Sequence, residues 1–185
     1  MAIASLLARI GTSDPVVPTV DMATVIDGFD ITRFGRATAK FDPAELAQVN
    51  SKVVQQLPFA RVAERLEAAA VGGGEPFWMA VRDNLLDVGE AGDWWRICTQ
   101  PITPIIDSAA VTDAAADLLP EGDMEASIWQ DWTKAVAAAS GAKGRGLFMP
   151  LRLALTGREK GPEIAPLLAF MGRERVLARL RGETA

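Results

Sequence analysis

A chain of 185 residues with 49% apolar and 23% charged side chains can bury one sizeable core, or two small ones in series. Histidine and tyrosine are absent and Cys98 is the single thiol, so no Ser–His or Cys–His nucleophile pair, no Cys/His zinc site and no internal disulfide can form. The net charge of -5 is unevenly spread: Met1 to Ala142 holds ten basic and twenty acidic residues, Lys143 to Ala185 nine basic and four acidic. A basic end can attract phosphates even on an acidic protein, because charges beyond a Debye length of roughly 8 Å are screened.

The mix rich in Ala, Leu, Val and Arg, with 6% aromatics, favours helices, and the expected fold is all-α. At the start, Ala2 to Leu7 forms a short apolar run that Arg9 interrupts, with no cleavage pattern after it; it reads as a helix entered midway rather than a signal peptide, hinting at a piece of a longer protein. No stretch of about 20 apolar residues suggests a membrane span. Asp42-Pro43-Ala44-Glu45 is a strong helix start, with Asp as cap, Pro at the first helical position and Glu completing a capping box. Leu46, Val49, Val53 and Leu57 then mark a buried face, and Gln48, Asn50, Lys52 and Gln55 a polar one.

Val62, Leu66 and Ala69 predict a second helix stopping at Gly72-Gly73-Gly74, a turn that lacks the Gly-Lys-Ser/Thr of a phosphate loop. Phe77, Val81 and Leu85 suggest a third helix, and Val88 to Ile97, with Trp94-Trp95, a fourth. Pro101 and Pro104 break the pattern. Thr112 to Leu119 reads as a short helix, and Met124 to Ser140 as a longer one with a stripe of Ile128, Trp132, Val136 and Ala139 and an exit at Gly141. Trp94, Trp95, Trp129 and Trp132 read as core pillars before base-stacking platforms. Phe148 to Leu155, Pro162 to Met171 and Arg173 to Arg181 complete the series as three short helices separated by Gly157, Gly161 and Gly172.

The stretch Gly146-Leu-Phe-Met-Pro-Leu-Arg-Leu-Ala-Leu-Thr-Gly157, then Gly161-Pro-Glu-Ile and Leu-Leu-Ala-Phe-Met-Gly-Arg-Glu-Arg-Val-Leu-Ala-Arg-Leu180, closely resembles the C-terminal block of bacterial glutamyl-tRNA synthetases. Ile10-Gly-Thr-Ser-Asp-Pro, Phe29-Asp-Ile and Ala39-Lys-Phe-Asp-Pro-Ala-Glu-Leu-Ala-Gln-Val-Asn50 resemble the same family's passage from its catalytic half into its anticodon-binding helices. The resemblance implies an α-helical cage of two consecutive subdomains, 42–104 and 105–185, preceded by the end of a stem-contact region at 1–41. It implies a cytoplasmic, monomeric module that binds the anticodon arm of tRNA(Glu), with neither DNA nor a membrane as partner. The HIGH-like motif and KMSKS-like loop of the class I catalytic domain are absent, so ATP, Mg2+ and the ligase chemistry are expected in a missing domain, no cofactor here, and no activity from this polypeptide alone. A stand-alone helical domain binding a protein partner is the alternative.

Arg82 matches the family's Arg that reads the third anticodon base, although Asn84 and Leu85 stand where the family has Lys and Thr. Lys143, Arg145, Arg152 and Arg158 are phosphate-contact candidates, clustered around glycine turns that permit close backbone approach. Arg152 has a structural alternative, pairing with Glu163 or capping a carbonyl. Asn50 and Lys52 are weaker candidates for the inner corner of the tRNA. Arg173, Arg175, Arg179 and Arg181 read as solvent-facing charge.

Overall fold

A computed structural model describes residues 1–36 and 38–185. Among these the chain is all-α, with eleven α-helices, four short 3-10 turns and no strand. No helix among them is long and apolar enough to cross a membrane. Contacts group the chain into two compact units: Met1–Val71 with Arg82–Ala91, and Gly72–Val81 with Gly92–Ala185. The division follows contacts and falls at Gly72 and Gly92, not at the Pro101–Pro104 break in the sequence pattern.

The first unit contains α1 (Ala2–Leu7), α2 (Met22–Asp27), α3 (Pro43–Val54) and α4 (Ala63–Ala68). Helix α3 starts where the sequence places it: the Asp42 carboxylate accepts from the Ala44 N–H at 2.8 Å and Pro43 occupies the first turn. Its Val49 and Val53 pack with Ala2 of α1, and Met1, Val16, Val20 and Leu46 close the cluster. Helix α2 and the turn Ile31–Arg33 bury no residue; the carboxylates of Asp21 and Asp30 cap them. Helix α4 ends at Ala68, before the glycine run, because the chain closes a Schellman turn: the Val71 N–H donates to Leu66 O and the Ala70 N–H to Glu67 O, both at 2.9 Å. Ala70 takes the left-handed position usually given to glycine, at φ +54.

The second unit contains α5 (Gly74–Val81), most of α6 (Glu90–Thr99), α7 (Ala109–Asp117), α8 (Trp129–Ser140), α9 (Arg145–Thr156), α10 (Ile164–Met171) and α11 (Arg173–Leu180). Its core is filled by Phe77, Trp78, Trp132, Val136, Leu151, Leu155, Leu167, Leu168 and Leu180, with α7 against α8, α9 and α11. A side chain at Gly72 would collide with the Trp95 indole and one at Gly73 with Phe77 and Phe170, which makes the glycine run a packed corner. Gly141 ends α8 in the left-handed conformation, as expected. The α8 stripe is Trp132, Thr133 and Val136, while Ala139 points to solvent. The boundaries of α5, α7 and α9 differ by a few residues from the periodicity reading, and α9 begins at Arg145 with Pro150 inside it.

The tail arginines need a correction. Arg179 is fully buried and donates to the carbonyls of Leu155 (2.7 Å), Ala185 (2.8 Å) and Gln100 (2.9 Å). Arg175 donates to Cys98 O, Thr99 O and Met171 O, and Arg173 to Pro120 O and Glu121. Only Arg181 of the four is exposed. Arginine's flat fork of five donors suits a core in which carbonyls converge, which is why the charge is spent inside.

Burial pushes the Cys98 thiol up to about 12, against the weaker opposing effect of Arg179 and Arg175. The folded protein therefore holds its thiol proton while the unfolded chain loses it above about pH 9, so stability falls as pH rises from there. From pH 8 to pH 10 the loss should be on the order of 1 kcal/mol by urea unfolding and should vanish in Cys98→Ala.

Candidate nucleic-acid interface

In the second unit, helix α9 carries Arg152 among buried neighbours: Leu151, Leu153, Ala154 and Leu155 are all in the core. The guanidinium is therefore half-buried, and desolvation holds its pKa below the ordinary arginine value. Nη2 donates to Pro162 O at 2.9 Å, so the carbonyl-capping alternative is the one realised, and no ion pair with Glu163 forms. Nη1 is buried without a hydrogen-bond partner. Native structures rarely leave a charged donor in that state, because an unmade bond of this kind costs about 1–3 kcal/mol.

Arg152 lines a cavity of about 320 Å³ together with Trp129, Phe148, Glu163, Ile164 and Ala165. Trp129 and Phe148 sit with ring centroids 6.3 Å apart at an interplanar angle of 33°, and Trp129 is braced edge-on by Trp132 at 5.6 Å. The tryptophans thus divide. Trp132 is a core pillar whose indole N–H donates to Ala115 O, whereas Trp129 is half-buried and walls the cavity, and Phe148 is 45% exposed. Flat rings beside an arginine can stack an aromatic ligand and hydrogen-bond its edge.

Lys143 and Arg145 are exposed at the start of α9, beside Gly144 at φ +52. Arg158 is exposed too, but its guanidinium lies over the Trp94 indole, 5.1 Å from the ring centroid. Trp94 itself is buried, and Gly161 is a glycine because a Cβ there would strike the Trp94 ring.

In the first unit the other candidates gather around the strap Arg82–Ala91. Arg82 is partly buried; Nη1 donates to Leu57 O at 3.4 Å and Nε lies 3.3 Å from Asp83 Oδ1, an ion pair without the alignment of a hydrogen bond. The Asn50 amide donates to Leu86 O at 2.8 Å, so the polar face of α3 meets protein there. Lys52 is exposed, with Nζ 3.4 Å from Gln55 Oε1. The sequence gives no sign that Asn50 serves the strap, since the two are 36 residues apart. Among the described residues, no group of three or more His, Cys, Asp or Glu side chains is placed to hold a metal ion.

The anticodon binding domain family matches residues 106–183. Over 186 residues the chain is 46% identical to glutamate–tRNA ligase 2 of Methylorubrum populi, covering 100% of this chain and 41% of that relative. It is 48% identical over 176 residues to glutamate–tRNA ligase 1 of Ruegeria pomeroyi, covering 92% of this chain and 40% of the relative. The chain thus spans about two-fifths of the length of the curated relatives it matches. A crystal structure of glutamate-tRNA synthetase from Elizabethkingia anophelis shares the fold, with a TM-score of 0.74 at 19% identity over 97% of this chain and 39% of that one. Residues 106–183 accordingly match the anticodon binding domain family, and the chain over its whole length is similar to about two-fifths of the length of the glutamate–tRNA ligases.

Proposed function

We propose that this chain binds the anticodon arm of tRNA(Glu) as the RNA-gripping part of a glutamate–tRNA ligase. The adenylation and transfer of glutamate, with ATP and Mg2+, then belong to the larger share of the relatives' length that this chain does not span. The observation that carries the reading is the cavity that Arg152 shares with the Trp129 and Phe148 rings. A splayed anticodon base would stack on the rings beside the Arg152 guanidinium, while Lys143, Arg145, Arg158 and Lys52 meet phosphates. Phosphate contacts set affinity and base contacts set identity. Arg82 reads the third anticodon base in this scheme. By role, residues 1–41 face the tRNA stem side and 42–104 and 105–185 the anticodon arm, in a monomeric protein of the cytoplasm.

Titration with tRNA(Glu) and a non-cognate tRNA tests this. With about four phosphate contacts, affinity for tRNA(Glu) should fall roughly a hundredfold between 50 and 200 mM salt, with preference for the cognate at both. Binding that is indifferent to salt and to tRNA identity would instead favour a module for a protein partner.

A further inference from the structure

The polar face of α3 presents a row of donors to a row of carbonyls. The Asn50 amide donates to Leu86 O (2.8 Å), the Ser51 hydroxyl to Leu85 O (3.0 Å) and the Gln55 amide to Asp83 O (3.0 Å). Gln55 also donates to Ser51 Oγ at 3.3 Å, linking two of the three. Just past the helix, Leu57 O receives the Arg82 guanidinium at 3.4 Å. The amides of the strap are held by its own acids: Leu86 N–H donates to Glu90 Oε2 and Gly89 N–H to Asp87 Oδ1, both at 2.7 Å. Leu85 and Val88 anchor the strap in the core, while Leu86 is exposed. Helix α3 therefore fixes the backbone immediately after Arg82, and the turn that follows it receives the side chain of Arg82 itself.

We propose that Asn50, Ser51 and Gln55 are positioning residues for anticodon discrimination, holding residues 83–86 so that Arg82 points in one direction. The proposal rests on the reading that Arg82 contacts an anticodon base. It gives the polar face of α3 a task other than touching RNA. A loop hung from three side-chain donors keeps its aim only while all three are engaged, because each bond lost frees a stretch of backbone. Misdirection of a base-reading side chain reduces discrimination more than affinity, since the phosphate contacts persist.

The test uses the full chain with two transcripts, tRNA(Glu) and the same tRNA with its third anticodon base changed. The double variant Asn50→Asp/Gln55→Glu keeps side-chain shape but turns both donors into acceptors facing carbonyls. The ratio of the two affinities should fall about tenfold, amide exchange at residues 86–89 should quicken at least tenfold, and helical circular dichroism should stay unchanged. Ser51→Thr, which keeps the hydroxyl, should retain the wild-type ratio. An unchanged ratio with quickened exchange overturns the proposal, because the strap would then be released without consequence for reading. Arg82→Gln separates the two layers. If it abolishes discrimination while the strap variant does not, the positioning role alone falls; if it leaves discrimination intact, the base-reading assignment falls and takes the positioning role with it.

Discussion

Replacing Arg152 with Met is expected to weaken tRNA(Glu) binding roughly 10- to 100-fold, the cost of one specific base contact of about 1–3 kcal/mol, while leaving the fold as stable as before. The two halves of this expectation have one cause. Arg152 is half-buried, desolvation opposes its charge, and Nη1 has no partner in the folded chain. Met removes that unsatisfied donor and the bond to Pro162 O together, so the changes in stability offset to within about 1 kcal/mol. Arg152→Lys keeps the charge but not the fork, and should recover only part of the affinity. The checks are a binding titration and urea unfolding on the same variants. Loss of more than about 3 kcal/mol of stability would make Arg152 a structural clamp, and unchanged affinity would remove the base pocket from the functional reading.

Arg179→Met should behave in the opposite way, losing about 3 kcal/mol of stability. The buried guanidinium of Arg179 serves the carbonyls of Leu155, Gln100 and Ala185, and burial, then Arg175, lowers its pKa to about 10. Ala185 O would keep the Ile102 N–H at 2.9 Å, but the Arg179 bonds to Leu155 O and Gln100 O would be lost. Each unmet carbonyl costs about 1–3 kcal/mol, partly offset because a charge no longer has to be desolvated. For a chain of this size the thermal midpoint should drop by roughly 6–12 °C. Arg179→Lys cannot reach all three acceptors at once and should recover less than half of the loss. A midpoint within about 2 °C of wild type would show that the carbonyls find water instead.

The contrast between these two arginines shows what the amino-acid sequence reveals and what it conceals. Signals confined to a few neighbouring residues are legible: Asp42 and Pro43 start α3 and Gly141 ends α8, because caps and left-handed turns are satisfied locally. The end of α4 is not, because Ala70 itself adopts the left-handed conformation that the glycine run two residues later would ordinarily supply. Arg179 carries a local signal: it lies three residues after the buried Val176, on the helical stripe that Leu180 continues at a spacing of four. Its burial was therefore visible as a charge on an apolar stripe. The candidate site was legible only as a set of basic residues. Which of them meet solvent depends on partners distant along the chain: Pro162 for Arg152, Trp94 for Arg158, and residues 83–86 for Asn50, Ser51 and Gln55. Trp129 and Trp132 are three residues apart with the same chemistry, yet only the second reaches a core acceptor.

The enclosed Cys98 has a practical consequence. With its sulfur inside the second unit and its proton firmly held, the native thiol should ignore maleimide dyes at neutral pH. A new cysteine at exposed Ala139 would then be the single reactive position, so a fluorophore can be attached to α8 without first deleting the natural residue. Such a reporter turns every RNA titration described for this protein into an optical measurement on otherwise unaltered material.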